Sequence, residues 1–311
     1  GWGLQASTQE ADFRAGRKTR NDRYSLSLTA RPDTDLLLTV RGGQESTDVL
    51  GVARRSYDNY GAELTWTPSP RTTVNLSTDE RYFGNSRQIL VEHRFLRSLI
   101  RFTSIRGASG DGIGTGSGGA SGVGVGQPIS LYQLFFEQFA SVQPDPVLRE
   151  QLVLNFLRAQ GLDPFAVVGG GFINNGITLQ RREDLSYSLT GVRNTFSLQA
   201  FRSASQVLDR VGQSQSPNPA FGNGSVTQHG FTATLSHRLT PTASASISAS
   251  QSRTASSGSQ SGNDLRSVNL TLSEQLSRRV SGNLSARYSD FDSPTQPYRE
   301  AALQASINVR F

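Results

Sequence analysis

The chain has 311 residues, 35 % of them hydrophobic, with a mean hydropathy of −0.40 and a formal net charge of +6. No window approaches the roughly 18 unbroken apolar residues of a transmembrane helix. At about 150 residues per domain the length suggests two domains or one large β-architecture, and hydrophobicity this thin is poor material for two soluble cores. Cysteine is absent, which excludes a disulfide framework, a zinc–thiolate site and a cysteine nucleophile. Methionine is absent too, so Gly1 reads as a processed or trimmed start, with any signal peptide already removed. Of the 31 basic residues only Lys18 is a lysine. The remaining arginines suit bidentate grip on carboxylate, phosphate or sulfate, although arginine-rich codon usage would give the same bias.

Along the chain the dominant period is two. Tyr24, Leu26, Leu28 and Ala30 alternate with Ser25, Ser27, Thr29 and Arg31; Tyr60, Ala62, Leu64 and Trp66 alternate with Gly61, Glu63 and Thr65. The same pattern returns at Val268–Ser273 and at Leu303–Phe311. It predicts fourteen strands, at 2–14, 23–31, 36–47, 57–67, 72–83, 86–95, 98–106, 177–190, 195–206, 228–239, 242–254, 264–275, 280–291 and 299–311. Short turns fall at Arg31–Asp35, Thr67–Arg71, Arg94–Ser98, Gly191–Asn194, Leu239–Thr242 and Leu276–Arg279, whereas the connections between them are longer and polar. Only a turn at Gly84–Ser86 breaks that rhythm. Tight turns at one end, long loops at the other and an even strand count are the habit of outer-membrane barrels, and a soluble sandwich has no reason to sort loops by parity. The expected fold is therefore all-β, a transmembrane antiparallel up-and-down outer-membrane β-barrel of about 14 strands with a short helical insert. Barrel strands occupy 1–106 and 177–311, with the insert at 107–176, and the place is the outer membrane of a Gram-negative bacterium. Aromatic girdles are expected from Trp66, Phe95, Phe196 and Phe311 at the periplasmic rim and Tyr24, Tyr60 and Tyr288 at the external rim. The terminal Phe311, with apolar residues at alternate positions behind it, resembles the signal read by the barrel-assembly machinery.

The insert changes character. Ten of residues 107–126 are glycine, with no phosphate-loop spacing. Leu131, Leu134, Phe135 and Phe139 then share one helical face. A second helix opens at Asp145-Pro146, an N-cap followed by proline, carries Leu148, Leu152 and Phe156 on one face, and stops at Gly161. These seven apolar residues are expected to seat the insert as a plug in the barrel mouth, or else to dock a partner as an external cap.

The inward parity holds Arg31, Arg41, Arg81, Arg94, Arg101, Arg182, Arg238, Arg287 and Arg310 against Glu63, Asp79, Glu92 and Asp184, a surplus of five positive charges. Such a lining concentrates anions, unless arginine–carboxylate ladders neutralise it. No catalytic set, cofactor or metal is expected. His93, His229 and His237 lie on different strands, and Asp290, Asp292 and Ser293 make only a weak calcium spacing. The arginines are too dispersed for nucleic acid.

Three segments carry a family resemblance: Glu80-Arg81-Tyr82-Phe83-Gly84-Asn85-Ser86, the insert LYQLFFEQFASVQPDPVLREQLVLNFLRAQGLDP (131–164) and GGGFINNGITLQRREDLSYSLTGVRNTFSL (169–198). Together they resemble the uncharacterised outer-membrane β-barrel family that accompanies exosortase/PEP-CTERM exopolysaccharide clusters, over about residues 60 to 210. The resemblance implies a role in exopolysaccharide export beside a periplasmic polysaccharide-export protein, and it brings no catalytic residues. The expected function is a porin-like conduit, gated or plugged by the insert, with outer-membrane lipid and a polysaccharide (anionic, if the arginine surplus is free) as partners. A structural barrel that docks an export partner without conducting is the alternative, and an outer-membrane hydrolase a third.

Overall fold

The computed structural model describes residues 1–12, 18–108, 132, 135–136, 139, 143, 145–159, 177–208, 225–256, 262–277, 279–292 and 297–309. Fourteen strands form one antiparallel sheet whose spatial order is the chain order. They are β1 (Trp2–Ala11), β2 (Thr19–Asp33), β3 (Leu36–Thr47), β4 (Arg55–Ser69), β5 (Thr72–Arg81), β6 (Gly84–Arg94) and β7 (Ser98–Ala108). After the insert come β8 (Thr178–Thr190), β9 (Asn194–Val207), β10 (Ser225–Arg238), β11 (Ala243–Ser256), β12 (Asn263–Gln275), β13 (Val280–Asp292) and β14 (Tyr298–Val309). Among the described residues the insert carries the helix α1 (Pro146–Ala159). This is the transmembrane antiparallel up-and-down architecture of an outer-membrane β-barrel, with strands of 10 to 15 residues, long enough to cross at a tilt. Among the described residues β1 pairs only with β2 and β14 only with β13.

Turn chemistry explains the tight end. Asp33 accepts the Thr34 N–H at 2.6 Å between β2 and β3, and Thr240 accepts the Ala243 N–H at 2.9 Å between β10 and β11. Side chains thus satisfy backbone donors that a two- to four-residue turn leaves unpaired. At the loop end the β5–β6 connection is also tight. Its turn sits at Tyr82–Phe83 rather than at 84–86, because Gly84 adopts φ +91°, a left-handed conformation open to glycine.

The sheet curls strongly. Asp79 on β5 shares a register row with Gly61, Arg41 and Ser27. Arg23 on β2 lies four residues from that row and three strands from β5. In a flat sheet that offset would separate the two by about 14 Å across and about 13 Å along the strands. Yet the Arg23 guanidinium stands 3.7 Å from the Asp79 carboxylate. Only a concave face brings them together.

Burial is the reverse of a soluble protein's. Leu26, Val40, Trp66, Leu76, Phe231, Ile247, Val268, Leu284 and Leu303, all on the convex face, are exposed. Ser186, Ser188, Thr195, Ser197, Ser205 and Ser236, on the concave face, are buried. Apolar outside and polar inside is what hydrocarbon around a wet lumen selects, the pattern of an outer-membrane barrel. No helix among the described residues is long and apolar enough to cross a membrane; the strands do so. Of the aromatics expected at the rims, Trp66 and Phe95 are exposed at the tight-turn end, and Tyr24, Tyr60 and Tyr288 are exposed toward the loop end. Phe311 lies outside the described residues.

Candidate functional site

The concave face carries a ladder of ion pairs that starts from Gly61. A Cβ there would meet the Thr78 carbonyl oxygen at 2.6 Å and the Asp79 carboxylate closer still. Without a side chain at Gly61, Asp79 lies over β4 and is gripped by Arg41 from β3, with Nη2 donating to Oδ2 at 2.6 Å and Nε to Oδ1. Arg41 also donates to Glu63 at 3.2 Å. Two residues nearer the loop end, Arg81 donates to both oxygens of Glu45, at 2.7 and 2.6 Å, and Asn21 donates to Glu45 at 2.7 Å. Glu45 is 0 % exposed, so its charge is sustained by these donors and by Arg23, which faces it from β2. Arg23 completes the set through Asp79.

A second group spans β6 to β9. Glu92 holds Arg94 at 2.7 Å and Arg101 at 3.8 Å. Arg182 donates to both oxygens of Asp184 at 2.6 to 3.0 Å, with its guanidinium 5.1 Å from the centre of the Phe201 ring. Near the sheet's far edge Arg287 donates to Glu300 at 2.7 Å.

These contacts change the expected charge balance. Arg23, Arg41, Arg81, Arg94, Arg101, Arg182 and Arg287 face Glu45, Glu63, Asp79, Glu92, Asp184 and Glu300, and seven guanidiniums against six carboxylates leave a surplus of one in the ladder. Arg23, Glu45 and Glu300 lie on the inward parity as well and bring one further positive and two further negative charges to the interior. Arg31 and Arg238 sit at the tight-turn ends of β2 and β10 rather than in the ladder, and Arg310 lies outside the described residues. Between the charged groups, β8 to β11 line the interior with the buried serines and threonines and with Gln199. Short hydroxyls leave space and offer weak, repeatable hydrogen bonds.

The loop end carries an apolar cluster drawn from four connections. Val49, Tyr82, Ala108 and Ile177 are buried together, with Tyr57, Phe83 and Leu208 packed against them. The β5–β6 turn presents Tyr82 and Phe83 edge to face at 4.9 Å, and Arg81 of the ladder lies 5.4 Å from the Phe83 ring centre. The charged interior and the apolar mouth therefore meet at one residue.

Within the insert, Asp145 caps α1 by accepting the Val147 N–H at 2.9 Å. The buried face shares Phe135, Phe139 and Phe156 with the one expected and differs from it in the α1 residues at its centre. Phe135, Val153 and Leu157 form the cluster, packed by Tyr132, Phe136, Phe139 and Phe156, while Leu148 is 51 % exposed and Leu152 half-buried. The helical period allows either face, and α1 packs the one bearing Val153 and Leu157 against Tyr132, Phe135, Phe136 and Phe139. Leu131 and Leu134 lie outside the described residues, as do Ser293 and most of the Gly-rich tract. Among the described residues no group of metal-ligating side chains gathers. The histidines stand apart on the convex face: His93 meets Thr72 Oγ1 at 2.8 Å, His237 meets Asn194 at 2.5 Å, and His229 lies opposite Arg202 and Arg253.

Neither a protein-family model nor a curated protein matches the chain. Similar solved structures are outer-membrane proteins. OmpT of Vibrio cholerae is 6 % identical, over 99 % of this chain and 93 % of its own, at a TM-score of 0.35. OccK1 of Pseudomonas aeruginosa is 10 % identical, over 99 % and 75 %, at 0.35. A porin is 8 % identical, over the whole of both chains, at 0.36.

Proposed function

We propose that this chain is a porin-like outer-membrane conduit serving exopolysaccharide export. The observation that carries the conduit is the inner face itself: buried hydroxyls and a nearly neutral ion-pair ladder inside a wall whose exposed side is apolar. A conduit must bind its cargo without trapping it, and hydroxyls around internally satisfied charges offer a sugar chain weak hydrogen bonds with no strongly charged trap. The exopolysaccharide class and a periplasmic export partner rest on the resemblance of segments 80–86, 131–164 and 169–198. The gate in this reading is the apolar mouth around Val49, Tyr82 and Ile177 together with the insert joined to it at Ala108 and Ile177. Docking without conduction is the second reading, favoured by Val147 and Leu148, apolar residues exposed on α1.

Single-channel conductance in a planar bilayer separates the two. Removing residues 110–170, or replacing Tyr82 and Phe83 by serine, should turn a small conductance into a large one with only slight anion preference. Folded barrels that stay silent in all three forms would refute conduction and leave the docking reading.

A further inference from the structure

The convex face carries one basic patch that neither the lumen nor the mouth uses. Register places Arg87 on β6 opposite Arg106 on β7, and Arg106 opposite Arg181 on β8. Three guanidiniums thus stand side by side on adjacent strands about 4.8 Å apart, an arrangement that like-charge repulsion disfavours. Among the described residues one carboxylate pairs with them: Glu183 lies 2.6 Å from Arg181 and 3.8 Å from Arg87. Arg106 donates to the Asn85 carbonyl oxygen, which brings no negative charge. The Nε of Arg87 is buried and has no partner. Arg202, exposed on the same face of β9, faces Glu183 across the strand pair and adds a further positive charge.

On the opposite side of this rim the charges balance. On β11 to β14, Arg253, Arg266 and Arg299 stand with Asp264, Asp290 and Asp292, two of them directly paired with arginine. The surplus is confined to β6–β9, and its position is specific. Ile89 and Val91, Phe102, and Leu185 continue the same outward face toward the tight-turn end. The arginines begin where the apolar wall stops, at the long-loop end, which faces the cell exterior in outer-membrane barrels.

We infer that Arg87, Arg106 and Arg181, with Arg202 beside them, clasp the phosphate groups of a phosphorylated glycolipid in the outer leaflet. A phosphomonoester carries close to two negative charges and several acceptor oxygens, and forked guanidiniums bind it bidentately. A lipid also supplies acyl chains to lie along Val91, Phe102 and Leu185, which a soluble anion does not. The inference needs the barrel to be in a membrane, and is independent of whether its lumen conducts.

The test uses the full chain refolded into phosphatidylcholine vesicles containing either diphosphoryl lipid A or its dephosphorylated form, with retained glycolipid per barrel as the readout. The wild type should retain the diphosphoryl form in preference. The triple variant Arg87→Gln, Arg106→Gln, Arg181→Gln should retain it about tenfold less, and a control with Arg253→Gln and Arg266→Gln should match the wild type. Equal retention by the triple variant, or equal loss in the control, would overturn the inference. Full displacement of the lipid by inorganic phosphate would instead assign the site to a soluble anion. Should the triple variant not fold, phenylglyoxal modification of the unaltered protein reads the same contact. Arg106 and Arg181 should be protected by the diphosphoryl form and not by the dephosphorylated one, and equal reactivity in both overturns the inference.

Discussion

At the scale of single residues the interior depends on charges that are matched locally. Glu45 is fully enclosed and Arg81 is its bidentate cationic partner, so Arg81→Ala leaves a buried carboxylate with only Asn21 and the Arg23 charge on the facing strand to sustain it. That change should cost about 3–5 kcal/mol, whereas replacing both partners by apolar residues of similar size should recover most of the loss; urea unfolding of the refolded barrel in vesicles measures both. Gly61→Ala acts through space instead. Its methyl group would occupy the position of the Asp79 carboxylate and prise it from Arg41, so the variant should unfold at lower urea than the wild type, by more than Ala62→Gly on the outward side. This part of the site was partly legible beforehand. Parity alone selects Arg41, Glu63 and Asp79 as inward, and also selects Arg23 and Glu45. What parity does not contain is distance: the meeting of β2 with β5, or of Arg81 with Glu45 over β4, follows from curvature, and curvature arises from the whole sheet.

At the scale of elements, period-two alternation locates all fourteen strands, most bounds within two or three residues, because a strand with one face in lipid and one in water writes both faces into its sequence. The insert was harder to read. A 3.6-residue period marks a helix but several faces of α1 are apolar, and Leu148, Leu152 and Phe156 compete with Val153 and Leu157. Packing against Phe135 takes Phe156 from the expected face together with Val153 and Leu157, and leaves Leu148 exposed, which no local pattern encodes. The cap is a local signal and was legible: Asp145 accepts the Val147 amide as its place before Pro146 suggests. Asp145→Ala should weaken α1 by about 1 kcal/mol, seen as faster amide exchange over residues 147–150 with exchange in the strands unchanged. Val153→Ala should loosen the whole helical unit without altering the barrel's resistance to urea.

For the whole molecule the outermost strands set the strongest constraint. β1 and β14 each have one hydrogen-bonded neighbour among the described residues, and in hydrocarbon every backbone N–H and C=O must find a partner. An even strand count runs the two antiparallel, so they can complete each other's hydrogen bonding. The chain has no cysteine, which makes the test clean: single cysteines introduced at inward Gln5 or Ser7 of β1 and at Gln304 or Ala302 of β14 should include a pair that cross-links in vesicles. If no combination does, something other than β14 occupies the edge of β1.

The central claim is that apolar residues face lipid and polar residues face a water-filled lumen. Reactivity of single cysteines toward a small charged thiol reagent, with the protein in vesicles, tests it most directly. Inward Ser27, Thr39 and Ser77 should label, and outward Leu26, Val40 and Leu76, each next in sequence to one of them, should not. Labelling that does not alternate along β2, β3 and β5, or that favours the outward positions, would contradict the account.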